Sequence, residues 1–239
     1  MKVRFKFSKE GPVRFLGHLD TMRYFQKAIR RAGFPAAFSA GFSPHMLLTF
    51  AAPLGVGIES RAEYFDLELT EPVPGDELVR RLDAQMAEGF RVLNAVQVTD
   101  KKSGNAMSLV AAADYALFER KNHPLETILP AVDAFMAQDE ILITKTGKSG
   151  ERQVDIRPFI YEMKAVCEDG VPMLFLRLAS ASANYTRPDQ VLDAFTAFSG
   201  VPIEPYSLGI RRLEVYAQTQ DGFVPLDGLR VEDGPGGEI

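Results

Sequence analysis

Cysteine is nearly absent from this 239-residue chain, which contains only Cys167. An internal disulfide needs two thiols, iron–sulfur clusters are held mainly by several thiolates, and structural zinc sites usually use two to four. The sequence therefore excludes all three features. Cys167 lies in a strand-like run, MKAVCED, beside two acids that disfavour the thiolate, so we expect a buried structural thiol and not a nucleophile.

Long apolar runs are also missing. No stretch approaches the roughly 20 residues that cross a bilayer as a helix, and the opening MKVRFKFSKEG has no apolar core for export. We therefore expect a cytoplasmic protein without a membrane partner. The 46% hydrophobic content is enough to bury a core in one large or two small domains.

Complete phosphate-binding loops are absent as well. The run ITKTGKSG contains Gly-Lys-Ser, but a leucine stands at position 142, where the loop needs its first glycine, and no helix follows. The pair Gly55 and Gly57 lacks a third glycine and leads toward a strand. We therefore predict no nucleotide cofactor, and no other cofactor either.

Acidic residues are scarce in one part of the chain. Residues 1–50 hold nine Lys/Arg against Glu10 and Asp20, an excess of seven positive charges, although the whole chain has a formal net charge of −5. A basic end on an otherwise acidic protein favours a polyanionic partner at that end.

The hydrophobic pattern predicts an α+β fold. Period-two and helical patterns alternate in the order β-α-β-β-α-β, and the order approximately repeats in the second half. We therefore predict two tandem ferredoxin-like (βαββαβ) halves, the second with an added strand. The predicted parts are an N-terminal domain over 1–98, a linker over 99–108, a C-terminal domain over 109–227 and a disordered tail over 228–239. In the first half the predicted strands lie at 2–7, 45–51, 64–69 and 91–98, and the predicted helices at 18–32 and 74–88. In the second half the predicted strands lie at 115–120, 140–146, 159–168, 172–179 and 211–218, and the predicted helices at 125–137 and 188–198.

Two basic rows account for the local charge, and they have different interpretations. Lys2, Arg4 and Lys6 alternate with apolar residues in the first strand, which predicts a half-buried strand. The neighbouring strand of a ferredoxin-like sheet carries Asp66 and Glu68, so cross-strand ion pairs are the favoured explanation there.

The second basic row lies on the first predicted helix. Arg23, Lys27, Arg30 and Arg31 share this helix with a single acid, Asp20, and its apolar side is predicted to include Leu19, Met22, Phe25 and Ile29. An arginine fork donates two parallel hydrogen bonds to a phosphate. A solvated helix face is the alternative, but the deficit of acids favours an anion-binding face.

His18 stands at the start of this helix, and His45 stands at the end of the loop GFSPH. They are the candidate catalytic residues, since a histidine near RNA phosphates can act as general acid or base, and His45 is also a candidate substrate contact. Together with Glu63 they are weak candidates for metal ligands, with Asp20 and Glu59 as other acids in the region, but no spacing resembles a helix-borne zinc motif, so we predict no metal. Hydrogen-bonded structural histidines are the alternative.

Arg187 is a further candidate substrate contact. It precedes Pro188 at the start of a predicted helix, where Asn184 or Thr186 is expected to cap the helix and its N-terminus to hold an anion. Helix initiation alone explains the pattern equally well.

The motif GHLDTMRYFQKAIRRAGFPAAFSAGFSPH, followed by PLGVGIESRAEYFDLEL, resembles the radical-SAM-linked protein family, a domain of unknown function fused to or encoded beside a radical-SAM enzyme. The runs VDIRPFIYEM and NYTRPDQVLDAF extend the resemblance over most of residues 1–218. The resemblance implies a radical-SAM protein as partner and, by gene association, a connection to RNA. It assigns no roles to the residues that match the family's pattern, which are His18, Asp20, Arg23, Arg30, Gly41, Phe42, Pro44, His45, Ser60, Glu63 and Tyr64.

Three functions follow as hypotheses. The first is a substrate-recognition module, without catalysis of its own, that binds tRNA or rRNA through the basic helix for a radical-SAM enzyme. The second is an RNA-processing nuclease with a histidine general acid–base, an interpretation that also draws on a fold-level likeness to CRISPR repeat-cleaving proteins. The third is a structural protein-interaction subunit that binds no RNA.

Overall fold

The computed structural model describes residues 1–99, 104–120, 124–147, 150–168, 170–204 and 206–229. The fold is mixed α+β, with mostly antiparallel sheet and few helices. Contacts divide the chain into two compact units, Met1–Ala111 with Glu214–Ile239, and Ala112–Leu213. No helix within the described ranges has both the length and the apolar character needed to span a bilayer.

The first unit contains strands β1 to β4, helices α1 to α3 and the last strand, β11. Short 3-10 helices at Gly11–Phe15 and Leu226–Gly228 complete it. The bounds are β1 Lys2–Lys9, α1 His18–Arg31, β2 Leu48–Phe50, β3 Glu59–Glu68, α2 Gly75–Asp83, β4 Phe90–Val98, α3 Ala106–Leu109 and β11 Gly222–Pro225.

The remaining elements fall largely in the second unit. Strand β5 begins two residues before the boundary between Ala111 and Ala112. Strand β10 crosses the boundary between Leu213 and Glu214, so that its part from Glu214 belongs to the first unit. The bounds are β5 Val110–Glu119, α4 Pro124–Ile128, α5 Val132–Met136, β6 Leu142–Gly147, β7 Gly150–Asp155, β8 Ile160–Glu168, β9 Val171–Ala179, α6 Pro188–Ser199 and β10 Leu208–Thr219.

In the first unit, β1 lies between β4 and β3 and is antiparallel to both, and β2 pairs with β3. Alternate residues of β1 point into an aromatic core: the rings of Phe5 and Phe65 stack at 4.8 Å, and Phe7 lies 4.5 Å from Phe25 of α1. The other face of β1 is buried too, since Arg4 is fully buried and donates to the carbonyl of Leu226. The predicted half-buried strand is therefore wrong, because a segment more than 200 residues away covers its second face.

In the second unit, β5 pairs with β9 and β9 with β8, all antiparallel. The hairpin of β6 and β7 forms a separate two-stranded sheet. Only the first of these strands was predicted, over residues 140–146. Phe135 of α5 packs on Phe195 of α6 at 5.1 Å. These contacts give the second unit a core of its own.

Three local predictions need correction. The helix predicted over 125–137 is broken into α4, a 3-10 turn and α5, because Pro130 lacks the N–H that a continuous helix needs. Leu19, placed on the apolar side of the first helix, is 59% exposed, and Thr21 occupies a buried position. Cys167 is exposed and not buried, because it lies close to the end of β8, the outermost strand of its sheet.

The predicted domain bounds stay a prediction, and the compact units divide the chain at other positions. Part of the predicted linker, and all of the predicted tail beyond Leu229, lie outside the described residues.

Candidate polyanion-binding surface on helix α1

Helix α1 presents one buried and one basic side. Thr21, Phe25, Ala28 and Ile29 are its buried residues, at the spacing of one helix face. The exposed side carries four basic residues, which we call the basic face: Arg23, Lys27, Arg30 and Arg31.

The charges of the basic face are largely unused within the fold. Arg23 lies 3.6 Å from Asp20, with both side chains about two-thirds exposed, a kind of pair that holds little free energy. Arg31 donates to the backbone carbonyl of Gln85 at 3.2 Å. Within the part of the chain that the structure describes, no hydrogen bond or ion pair reaches the side chain of Lys27 or Arg30. Three cations, spread over about 10 Å of helix axis, are therefore available to an outside anion.

The basic row of β1 behaves in the opposite way. Arg4 donates from Nε and Nη2 to the two carboxylate oxygens of Asp66 at 2.8 and 3.1 Å, which confirms the predicted cross-strand pair. It also donates to the carbonyl oxygens of Gly104, at 2.7 Å, and Leu226, at 3.1 Å. The charge of Arg4 is therefore satisfied within the fold and is not available to an outside anion.

Lys6 pairs with an acid that the sequence pattern did not indicate. Its Nζ lies 2.6 Å from Glu214 Oε2 and 3.7 Å from Asp227 Oδ1. The Tyr64 hydroxyl lies 2.7 Å from Glu214 and 2.8 Å from Asp227, and Asn94 donates to Asp227 at 2.9 Å. These five residues form a polar network that fastens the segment from Glu214 to Asp227 onto β1, β3 and β4.

The network changes the acidity of two of its members. Burial, reinforced by Glu214 and Asp227, raises the pKa of Tyr64 far above that of an ordinary phenol. Burial opposes ionisation of Asp227, but the hydrogen bond from Asn94 and the charge of Lys6 outweigh it and lower the pKa of that carboxyl. Tyr64 is therefore a neutral hydrogen-bonding group and Asp227 an ionised partner of Lys6.

His18, at the first position of α1, lines a small pocket that is partly open to solvent and has enclosed room for about one water molecule. Its ring meets Phe50 edge-on at 5.7 Å between centroids. The walls combine polar and apolar side chains, and the lining residues are Phe7, Lys9, His18, Thr21, Phe50, Ala52, Pro53, Leu54 and Glu63.

His45 lies elsewhere, on an exposed hairpin closed by the bridge of Phe38 with Met46. Its Nδ1 is 2.8 Å from the Ser39 hydroxyl, and its N–H donates to the same oxygen at 3.1 Å. The structure thus brings His18 and Glu63 to one pocket, whose lining does not include His45. Among the described residues, no group of three His, Cys, Asp or Glu side chains is arranged to hold a metal ion.

Arg187 belongs to the second unit, at the N-terminus of α6. Its side chain lies 3.0 Å from Asp189, and its N–H donates to the side chain of Gln190 at 3.2 Å. Thr186, expected to cap the helix, is buried with its hydroxyl lacking a hydrogen-bond partner among the described residues. The Arg187 side chain therefore has an ion-pair partner among the described residues, whereas the side chains of Lys27 and Arg30 have none.

Two lining residues of the His18 pocket were missed by sequence reasoning. Lys9 follows a strand pattern and gives no signal of a pocket, since its position depends on the carbonyl of Leu16, to which it donates at 2.6 Å. Thr21 did carry a signal: it is a polar residue four positions before the core residue Phe25, on the face of the helix that has to be buried.

Fold and surface together define an α+β protein with antiparallel sheets and one exposed basic helix. The chain belongs to the family DUF2344, described as an uncharacterized protein conserved in bacteria, whose model matches residues 2–188. That description contains no link to radical-SAM enzymes. No curated protein matches the chain.

Solved structures with a similar fold include a chain from the crystal structure of a Cbf5-Nop10-Gar1 complex, at 10% sequence identity and a TM-score of 0.46. The similarity covers 89% of this chain and 48% of that chain, so this chain spans about half the length of that one. A likeness at this level assigns no function.

Proposed function

We propose that the protein binds RNA through the basic face of α1 and serves as a substrate-recognition module for a radical-SAM enzyme. The observation that carries the RNA part is the pair Lys27 and Arg30, which have no partner among the described residues and stand beside an Arg23 held only by a weak, exposed ion pair. Phosphates spaced along an RNA backbone match cations spaced along a helix, and arginine forks suit their geometry.

The choice of RNA over an acidic protein surface rests on how the cations are held. Cations that dock an acidic protein commonly stand among apolar residues that form the centre of the interface. The basic face is instead a row of long, exposed cations on one helix. Phosphate contacts of this type bind without regard to sequence, so tRNA and rRNA fragments are suitable first ligands.

The radical-SAM part rests on the sequence resemblance of the motif around α1. A chain with one cysteine holds no thiolate-ligated cluster by itself, so the cluster would belong to the partner enzyme. Co-purification of a tagged protein from its native cell, followed by mass spectrometry, tests this part. Recovery without any radical-SAM protein would contradict it.

RNA binding is tested by fluorescence anisotropy with a labelled tRNA and an rRNA fragment. The triple variant Arg23→Gln/Lys27→Gln/Arg30→Gln should bind about 100-fold more weakly at ~0.1 M salt, because three phosphate contacts are lost. The matched control, Arg61→Gln/Arg91→Gln/Arg152→Gln, removes the same charge from exposed arginines on β3, β4 and β7 and should bind nearly as the wild type does. If the two variants lose RNA affinity equally, the loss follows from net charge and not from the basic face, and the proposal is contradicted.

One observation favours the nuclease as a second candidate: His18 shares its pocket with Lys9 and Glu63, a combination of base, cation and carboxylate that suits acid–base chemistry. The variant His18→Ala/His45→Ala should then lose RNA cleavage while keeping RNA binding. Cleavage that persists in this variant would exclude these histidines as the catalytic groups. If the protein binds a partner after nuclease treatment but binds no RNA, the structural-subunit hypothesis takes over.

We also propose that each unit is built on a ferredoxin-like half. The strand order β4-β1-β3 with β2 on β3, and the order β10-β5-β9-β8, both correspond to the ferredoxin-like order 4-1-3-2. The β6–β7 hairpin then replaces the predicted added strand. An experimental structure with a different strand order in either half would contradict this.

A further inference from the structure

The N-terminus of α1 is open. Its first-turn N–H groups have no intrahelical acceptor, the N-cap residue is Gly17, and no side chain caps the helix. The backbone of Gly17 has φ −70°, which any residue adopts, and a Cβ there would come no closer than 4.0 Å to another atom, the Asp20 carboxylate. Backbone geometry therefore permits a capping side chain at this position, but the first-turn N–H groups of the helix have no side-chain cap.

A second, independent donor points to the same place. Thr21 is only 5% exposed and lines the pocket beside His18, yet its hydroxyl has no hydrogen-bond partner among the described residues. A buried hydroxyl without a partner costs free energy that a bound ligand atom would recover. The pocket thus contains an unused polar group in addition to the helix end.

The charges of the pocket walls nearly cancel. Lys9 and Glu63 both line it, are both at least nine-tenths buried, and carry opposite charges. The partial positive charge of the helix N-terminus remains, together with the donor hydroxyl of Thr21. Apolar rings and aliphatic side chains form the rest of the wall. This combination favours a small anion over a cation.

We propose that the pocket at the N-terminus of α1 binds a phosphoryl group, either of a free mononucleotide or of the end of an RNA chain; the RNA version rests on the function proposed above. Helix N-termini bind phosphate through their free N–H groups and their partial charge. Because the pocket is small and opens to solvent, one phosphoryl oxygen enters it toward the Thr21 hydroxyl, while the other oxygens and the ester stay at its mouth.

The pocket and the basic face are on one helix. Five residues separate His18 from Arg23, about 7.5 Å along the axis. Thr21 lies on the buried side of the helix and the basic face on its exposed side, so an RNA chain with its terminal phosphate at the pocket has to pass around the first turn before its next phosphates meet Arg23 and Lys27. In that case the pocket sets where the RNA chain begins, and the basic face holds the nucleotides that follow.

The test uses the full chain and backbone amide NMR, titrated separately with inorganic phosphate, AMP, and one RNA oligonucleotide with either a 5′-phosphate or a 5′-hydroxyl. Gly17→Asp places a carboxylate cap on the open amides, and Gly17→Ala adds a Cβ without a cap. Thr21→Val removes the hydroxyl at constant shape, and Thr21→Ser keeps a hydroxyl. Melting temperatures show that each variant is folded, and that of Gly17→Asp should not fall below that of Gly17→Ala, since aspartate is a better N-cap.

We expect saturable shifts of the amides of residues 18–21 with phosphate and AMP. Gly17→Asp should abolish them and Gly17→Ala should keep them, while Thr21→Val weakens binding about tenfold and Thr21→Ser restores most of it, as for one hydrogen bond to a charged group. If the RNA end is the source, the 5′-phosphate oligonucleotide binds more tightly than the 5′-hydroxyl one. If AMP binds and the two oligonucleotides are equal, the source is a free nucleotide.

Two results overturn the inference: shifts that stay linear with phosphate concentration, or binding in Gly17→Asp equal to that in Gly17→Ala. RNA binding that persists in either case leaves the proposed function intact. Conversely, saturable phosphate binding by a protein that does not bind RNA refutes the proposed function and leaves a phosphoryl site.

Discussion

The basic row of β1 and the basic face of α1 lie in the same fifty residues and have similar composition, but the fold treats them in opposite ways. Arg4 is fully buried and makes four hydrogen bonds to protein oxygens. Lys27 and Arg30 are exposed, and no described residue pairs with them. One row stabilises the fold, and the other remains available to a partner.

The comparison shows that the local excess of cations in a sequence does not by itself give the number available to a ligand. Cations that pair with other groups of the fold have to be left out of the count. The partners of β1 come from strand β3 and from the segment after Glu214, more than 200 residues away along the chain. The cations of α1 are exposed, and among the described residues their side chains contact only Asp20 and the backbone carbonyl of Gln85. The excess of seven charges therefore overstates the number of cations available to a partner, which is about three.

The largest effect should come from breaking the buried row. Arg4→Met leaves Asp66 charged and buried with only the N–H of Ala106 as a remaining donor among the described residues, so we expect a loss of about 3–5 kcal/mol in the free energy of unfolding. Urea unfolding measures it. The double variant Arg4→Met/Asp66→Leu removes both charges and should recover much of the loss; no recovery would place the cost in the contacts to Gly104 and Leu226 instead.

The second prediction concerns the salt dependence of RNA binding. Neutralising Arg23, Lys27 and Arg30 should reduce the slope of log K against log salt concentration by about 2 to 3, because each phosphate contact releases close to one counterion. The free energy of unfolding should change by less than about 0.5 kcal/mol, since these are exposed side chains. A large loss in the free energy of unfolding with an unchanged salt slope would contradict the prediction, because it would mean that these cations stabilise the fold, as those of β1 do, and do not bind RNA.

A smaller effect is expected in the network around Tyr64. Tyr64→Phe removes a hydroxyl that lies within 2.8 Å of both Glu214 and Asp227, so two partly buried carboxyls lose a neutral partner. We expect a loss of about 1–3 kcal/mol by urea unfolding. Tyr206→Phe, at a tyrosine that is 89% exposed, provides the control and should be close to neutral.

The smallest effect should appear as a pH dependence. The pKa of Asp227 is lowered in the folded protein, so the unfolded chain binds a proton more readily, and folding gains stability above the ordinary carboxyl value of 3.8 that is lost as the pH falls below it. Asp227→Asn should flatten the acid side of the stability profile measured by urea unfolding at several pH values. A variant that loses stability equally at every pH would assign to Asp227 a hydrogen-bonding role without this titration.

Sequence reasoning located the elements better than their surroundings. The bounds of α1 and α6 were predicted to within one residue, because Gly33 and Pro188 are strong boundary signals and the apolar spacing is regular. The cross-strand pair of Arg4 and Asp66 was also predictable, since it follows from strand order and register.

What could not be predicted depends on contacts between distant parts of the chain. The burial of both faces of β1 requires the segment near Leu226, and the partner of Lys6 is Glu214; no local pattern contains either. The pocket likewise combines Lys9, Thr21 and Glu63 from three elements. Only Thr21 gave a local signal, because it is a polar residue on the face of α1 that has to be buried. The location of His45, away from that pocket, follows from its own hairpin and its bond to Ser39.

The ties from β1 to the segment after Glu214 have a consequence for how the protein is made. Lys6 emerges from the ribosome 208 residues before its partner Glu214, and Arg4 emerges 222 residues before Leu226. Contacts so far apart in sequence close late and slow folding, since a long loop must be ordered before they form. Until then β1 exposes its cations and an uncovered sheet face, so we expect the nascent chain to remain incompletely folded until the segment from Glu214 to Leu226 has been made. Pulse-labelling hydrogen exchange on the refolding chain would show this as protection of β1 that arrives with that of Glu214–Leu226, and not with that of α1.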